Sequence, residues 1–380
     1  MWKEAINAEI DSIMQNHTWE LVDLPSGSKP LGCRWVLRRK YKADGSIDNY
    51  KAKLVAKGFK QKEGHDFFDT YSLVTRITSI RVLLAIVALH SLEDLGLADV
   101  ILGIKIERTS EGILLSQSHY IESVLRKFNT FDDPPTKTPM DDSLRLIKNT
   151  GEPVAQLEYS RIIGSLMYIT NCTRPDLSYS VNKLSRFTSN PSGEHWKALT
   201  RVLRYLKYTL EFGLHYTSYP AVLEGYTDAN WISNSKDSHS TSGYVFTIGG
   251  GIVSWKTTKQ TCIARSTMES KFIALDKAGE EAEWLRNFLE DIPYWDKPVS
   301  SILIHCNIQV AIGRAQSAMY SGKSRHIRWR HNTVRELISR GIISIDYVKS
   351  KENITDPLTK GLNRDQFHKL LEGMGVKSTT

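Results

Sequence analysis

Two aspartates close strand-like runs. Asp228 ends Tyr226-Thr227-Asp228-Ala229, and Asp356 follows a second strand within Glu352-Asn353-Ile354-Thr355-Asp356-Pro357. Taken singly, each reads as a turn or cap residue. Cations give the stronger signal. Ten lie between Arg34 and Lys62, namely Arg34, Arg38, Arg39, Lys40, Lys42, Lys51, Lys53, Lys57, Lys60 and Lys62, opposed only by Asp44 and Asp48. That stretch carries the entire formal balance of +8, so the rest of the chain sums to zero. Trp35, Tyr41, Tyr50 and Phe59 interleave with the charges. Such a pattern suits a phosphate backbone, against the plainer reading of a solvated hairpin face. A second cluster, Lys323-Ser324-Arg325-His326-Ile327-Arg328-Trp329-Arg330-His331, meets no acid until Glu336. The cysteines Cys33, Cys172, Cys262 and Cys306 lie far apart without C-x-x-C spacing, which excludes a disulfide framework and a thiolate zinc site. A reducing intracellular compartment, cytoplasmic or nuclear, is the expectation.

The elements that must position these groups fit a chain of 380 residues with 24% charged and 41% hydrophobic positions, close to globular averages and unlike a disordered polymer. The longest apolar run is Val82 to Leu89, too short for a bilayer. The start, MWKEAINAEIDS, has neither a secretory nor a transit pattern.

The chain divides by pattern into five stretches. Residues 1–91 hold a helical pattern (Ile6, Ile10, Ile13, Met14), the basic hairpin turning at Asp44-Gly45, and an apolar helix from 79 to 89. Residues 92–150 read as short strands and a helix, with Asp132-Asp133-Pro134-Pro135 as a linker. Residues 151–216 are helical; Pro191-Ser192 opens a helix whose Trp196, Leu199, Val202, Leu203 and Leu206 form one apolar stripe. Residues 217–362 form an α/β unit with strands at 222–227, 243–248 and 251–255, a helix at 267–290, a strand at 301–306, a helix at 328–340 and a strand at 342–348. Residues 363–380 read as a tail. The fold class is α/β, in the mixed α+β sense, with a mixed five-stranded sheet in the last unit.

Longer words then carry a resemblance. They include Asn16-His17-Thr18-Trp19-Glu20-Leu21-Val22, Tyr50-Lys51-Ala52-Lys53-Leu54-Val55-Ala56-Lys57-Gly58-Phe59, Thr173-Arg174-Pro175-Asp176, Gly225-Tyr226-Thr227-Asp228-Ala229 and Ser240-Thr241-Ser242-Gly243-Tyr244. Together they resemble the reverse transcriptase and RNase H part of a copia-type retrotransposon Pol polyprotein, over essentially the whole chain. The resemblance implies a fingers and palm remnant followed by an RNase H-like sheet. It also implies an RNA–DNA hybrid or other nucleic acid as partner, no membrane, and carboxylate-held Mg2+, a hard cation that prefers oxygen ligands.

Against that pattern the polymerase centre is missing. Ala88-Leu89-His90-Ser91 runs almost directly into Leu95-Gly96-Leu97-Ala98-Asp99, and the Asp and the Tyr-x-Asp-Asp turn that the family carries between the matching segments have no counterpart. In the nuclease, Asp228 and Asp356 match the first and fourth carboxylates. Asn307, in Cys306-Asn307-Ile308-Gln309, replaces the third, an Asp. Lys271, in Ser266-Thr267-Met268-Glu269-Ser270-Lys271-Phe272, replaces the second, a Glu directly before the aromatic. Glu269 lies two residues earlier, about 200° around the helix, and is expected to face elsewhere. Lys271 is expected to pair with Asp228 or Asp356.

Three readings follow. A degenerate copy catalyses nothing; a hybrid-binding module still grips phosphates through Arg34, Arg38, Arg39, Lys40, Lys51, Lys53, Lys57, Arg325, His326, Arg328 and Arg330; or a weak RNase H survives through Glu269.

Overall fold

The computed structural model describes residues 1–15, 30, 32–41, 47–57, 76–92, 100–128, 130, 133–141, 144–232, 238–317 and 325–378. They fall into two compact units, Met1–Val74 and Thr75–Thr380.

In the first unit, helix α1 (Trp2–Gln15) packs on a two-stranded antiparallel hairpin of β1 (Cys33–Tyr41) and β2 (Ile47–Ala56). The register pairs Arg34 with Val55, Val36 with Lys53 and Arg38 with Lys51. Because side chains alternate along a strand, these residues share one face. Trp35, Leu37, Tyr50, Ala52 and Leu54 share the other, where Trp2 meets Tyr50 edge-on at 4.5 Å between ring centroids. The basic face is therefore real for Arg34, Arg38, Lys51 and Lys53. Arg39 departs from it: its neighbour Arg38 already faces that side, so alternation sends Arg39 to the aromatic face. Lys40 lies opposite Asn49, and Lys57 just beyond β2 donates its N–H to Gly32 O at 2.9 Å. The expected turn at Asp44-Gly45 lies outside the described residues.

The second unit begins with α2 (Ile77–Leu89). Then come β3 (Val100–Ile101), β4 (Ile104–Thr109), β5 (Gly112–Ser116) and α3 (Ser118–Lys127). The helices α4 (Gln156–Cys172), α5 (Ser178–Ser185) and α6 (Gly193–Tyr208) precede β6 (Phe212–Thr217). A second sheet is built from β7 (Glu224–Asn230), β8 (Thr241–Ile248), β9 (Gly251–Lys259), β10 (Ile302–Cys306) and β11 (Ile343–Tyr347). Around it run α7 (Thr267–Glu290), α8 (Gln309–Gln316) and α9 (Arg325–Ser339), and the chain closes with α10 (Arg364–Gly373) and β12 (Val376–Ser378).

The second sheet has the order β11-β10-β7-β8-β9. The β7, β8 and β9 neighbours are antiparallel, and β10 runs parallel to both β7 and β11. This is the mixed five-stranded plan expected from three adjacent strands followed by alternating helix and strand. Its β8–β9 connection is the pair Gly249-Gly250, both with positive φ (58° and 71°), the two-residue hairpin geometry that glycine adopts without strain.

The first sheet, β12-β6-β5-β4-β3, corrects the reading of 363–380 as a tail. Phe367, Leu370 and Leu371 recur at helical spacing and are buried with Met374 and Val376, and β12 pairs antiparallel with β6. Burying that apolar stripe is what docks the terminus. The boundary at 91 also differs from the structure, since α2 belongs to the second unit. Arg81, 3% exposed, donates Nε to Val253 O at 2.7 Å and Nη1 to Asn171 O and Cys172 O at 2.6 and 3.1 Å. It thereby fastens α2 to β9 and satisfies carbonyls at the C-terminal end of α4. Helix α8 escapes a periodicity reading because eight residues interrupted by Gly313 give less than three turns of pattern.

Candidate active site

Four of the five residues singled out for the nuclease meet at one end of the second sheet. The register of β10 on β7 sets Cys306 beside Thr227, so the next residues, Asn307 and Asp228, lie side by side. Helix α7 begins at Thr267 after the N-cap Ser266, whose hydroxyl accepts the Glu269 N–H at 3.2 Å. The Glu269 carboxylate turns back and accepts the Arg265 N–H at 2.9 Å. Glu269 therefore serves the helix start, as its angular separation from Lys271 requires. Lys271 projects toward the sheet end: its Nζ lies 2.5 Å from Asn307 Oδ1 and 3.2 Å from Asp228 Oδ1.

Asp356 arrives from the other side of the sheet, on a 3-10 turn Asp356–Leu358. The turn is held by the Asn353 side chain, which donates to Thr227 O at 3.0 Å. It lies against β8 where Gly243 stands; a Cβ there would meet Thr359, Thr355 and Leu358 at 2.9 to 3.1 Å, so the close approach needs glycine. Two partners were not foreseen from sequence. Thr359 donates its hydroxyl to Asp228 Oδ2 at 2.7 Å, and Lys360 Nζ lies 2.6 Å from Asp356 Oδ2. The i, i+4 spacing of Asp356 and Lys360 was the signal for the second pair.

Both aspartates are buried. Burial pushes the Asp228 carboxyl up, but the ammonium groups of Lys271 and Lys360 and the Thr359 hydroxyl outweigh it, and the group is held below its ordinary value. Burial pushes Asp356 up as well, and the nearby Asp228 charge adds to it. Lys360 offsets these only in part, so Asp356 rises to about 6.

A magnesium pair needs several oxygen ligands converging on open positions. Here one oxygen of Asp228 faces an ammonium and the other accepts a hydroxyl, and the Asn307 carbonyl oxygen is taken by the same ammonium. Among the described residues no cluster of three or more His, Cys, Asp or Glu could hold a metal ion. The residues present do not fit the metals that the family implies.

The second basic cluster divides. Arg330 is engaged internally, with Nη1 2.6 Å from Asp276 Oδ2 inside the fold. Arg328 is exposed beside Trp329, itself 63% exposed. Arg325 and His326 open α9; their side chains lie outside the described set.

Comparison with known proteins agrees with the resemblance. A reverse transcriptase (RNA-dependent DNA polymerase) family profile matches residues 16–92. The Pol polyprotein of transposon TNT 1-94 from Nicotiana tabacum is 30% identical over 503 positions, covering 99% of this chain and 38% of that protein. This chain belongs to the copia-type retrotransposon Pol family. The Pol polyprotein of transposon RE2 from Arabidopsis thaliana is 27% identical over 498 positions, covering 99% of this Pol segment and 34% of its own length. The segment thus spans little more than a third of these relatives. An alignment of 503 positions against 380 residues leaves well over a hundred positions of the relative without a counterpart here. Among solved structures, RNase H1 from Halobacterium salinarum is 20% identical over 36% of this chain and 93% of its own, with a TM-score of 0.28. At that score the fold reading rests on the strand order described above.

Proposed function

We propose that this Pol segment binds nucleic acid, an RNA–DNA hybrid in the first place, and neither copies nor cleaves it. The observation that carries the reading is the Lys271 ammonium seated between Asp228 and Asn307. A cation fixed there repels a divalent metal and occupies the oxygens that would bind it. Glu269, the carboxylate on which a surviving weak RNase H would depend, is engaged with backbone.

The absence of polymerase activity is supported by three observations. The family profile stops at residue 92, where the sequence jumps across the expected palm centre. The relatives carry extra positions within the matched region. Two Asp-Asp pairs occur, Asp132-Asp133 and Asp141-Asp142, and their described members, Asp133 and Asp141, lie outside helices and strands. Binding is supported by the hairpin face, where Arg38 and Lys51 stand directly opposite each other. Like charges so placed destabilise a hairpin unless an anion separates them.

The test is cleavage of a labelled RNA–DNA hybrid by the whole chain, in magnesium and then manganese, beside the Lys271→Glu, Asn307→Asp double variant. Cleavage by the double variant alone is expected. Metal-dependent cleavage by the chain as it stands would overturn the proposal in favour of a weak RNase H.

A further inference from the structure

A cavity of about 570 Å³ opens between β8, β9 and α7, within the size range of small-molecule sites. Ser242, Tyr244, Lys256 and Thr258 share the sheet face that lines it, whereas Asp228 pairs with Gly243 and has the opposite parity. The cavity is thus distinct from the carboxylate site. Its charge is lopsided: five cations, Arg76, Lys256, Lys259, Lys277 and Arg330, against Glu280 and Glu281.

Both acids are engaged. Glu280 is held by Lys277 at 2.7 Å through each oxygen, and Glu281 accepts the Ser254 hydroxyl at 2.6 Å. Arg330 is spent on Asp276. Arg76 and Lys256 are exposed and make no ion pair with any described residue. Arg76 is nevertheless positioned, its guanidinium 4.8 Å from the centre of the Trp284 ring, which stacks in turn on Phe288 at 5.5 Å.

A second observation is independent of charge. Two buried polar atoms of the lining, Gln260 Oε1 and Arg330 Nε, have no hydrogen-bond partner. The Gln260 amide nitrogen donates to Ser242 Oγ at 2.7 Å and to Ser270 O at 2.8 Å, which leaves its carbonyl oxygen as the open acceptor. Orphaned buried groups of this kind are costly and are ordinarily satisfied by a bound molecule or water.

We propose that this cavity binds a nucleoside phosphate, with the phosphates on Arg76 and Lys256 and a hydroxyl or amine of the nucleoside directed to Gln260. Two exposed, unpaired cations match the phosphate charge, and an open acceptor matches the donors of a sugar or base.

Equilibrium dialysis of the full chain against labelled adenosine triphosphate at low salt, without hybrid, tests it. Saturable binding is expected, weakened at least tenfold by Arg76→Glu and by Lys256→Glu and unchanged by Lys197→Glu on α6. Both cavity residues are exposed, so the variants should keep the parent circular dichroism. No saturable binding, or charge-reversed variants that bind like the parent, would overturn the proposal. Inorganic triphosphate competing as well as the nucleotide would also overturn it, by removing the nucleoside.

Discussion

Lys271 sets one ammonium against Asp228, and its effect is electrostatic. Asp228 is 2% exposed, and a buried carboxylate needs a counter-charge. Lys271→Met leaves the Thr359 hydroxyl and the charge of Lys360 but no ammonium in contact with it, so a loss of about 3 kcal/mol in urea denaturation at neutral pH is expected. A different pair on the same sheet sets an acid-sensitive term. The hydrogen bond from His305, with Nε2 3.0 Å from Oε2, holds the Glu224 carboxyl below its ordinary value of 4.5. A depressed carboxyl adds stability that is present above the unfolded value and lost as pH falls through the folded one. Glu224→Gln should therefore flatten the acid limb of the stability curve below about pH 4.5, by up to about 1 kcal/mol, in denaturation series against pH.

At the scale of elements, the hairpin and the last helix make opposite demands on the same kind of alternation. In β1 and β2 the period of two gives one face to cations and the other to aromatics, so the cationic face contributes nothing to the core. Replacing Arg38 and Lys51 together with Gln should leave the fold intact or slightly firmer. It should also reduce the slope of log affinity against log salt for a hybrid by about 2, read by filter binding. In α10 the 3.6 period gives Phe367, Leu370 and Leu371 to the core, and β12 then closes the first sheet on β6. Leu371→Ala should cost about 2–5 kcal/mol in chemical denaturation, the range for a fully buried leucine.

For the second unit as a whole, its two sheets share one packed body. Helix α2, β9 and the end of α4 come from three separate stretches and meet at Arg81, whose Cζ also lies 3.8 Å from the centre of the Trp255 ring. Burial pulls the Arg81 guanidinium down to about 10, so it remains charged at neutral pH. Arg81→Met would strand those carbonyls without a donor and should cost about 3 kcal/mol, with a single cooperative thermal transition shifted down rather than split in calorimetry. A second buried knot, Arg174 bonded to Asp176 with the Tyr205 hydroxyl on the same carboxylate at 2.8 Å, gives the family word Thr173-Arg174-Pro175-Asp176 its physical role.

Much of this was legible in the residues. The strand and helix pattern of 217–362 was, because periods of two and 3.6 are local, and β7 to β9 follow one another before the long periodic helix α7. So was the rotation between Glu269 and Lys271, which helix geometry alone fixes. The family followed from the longer words of the sequence. What only the tertiary structure decided depends on partners distant in sequence. Lys271 could have paired with either aspartate; the register of β10 on β7 put Asn307 beside Asp228 and so drew the ammonium there. Arg330 looked like one more surface cation until α9 packed on α7 and gave it Asp276. The apolar stripe of 367–371 looked like part of a loose tail because the surface that buries it, β6 and the α6 side of the core, lies some 150 residues earlier in the chain.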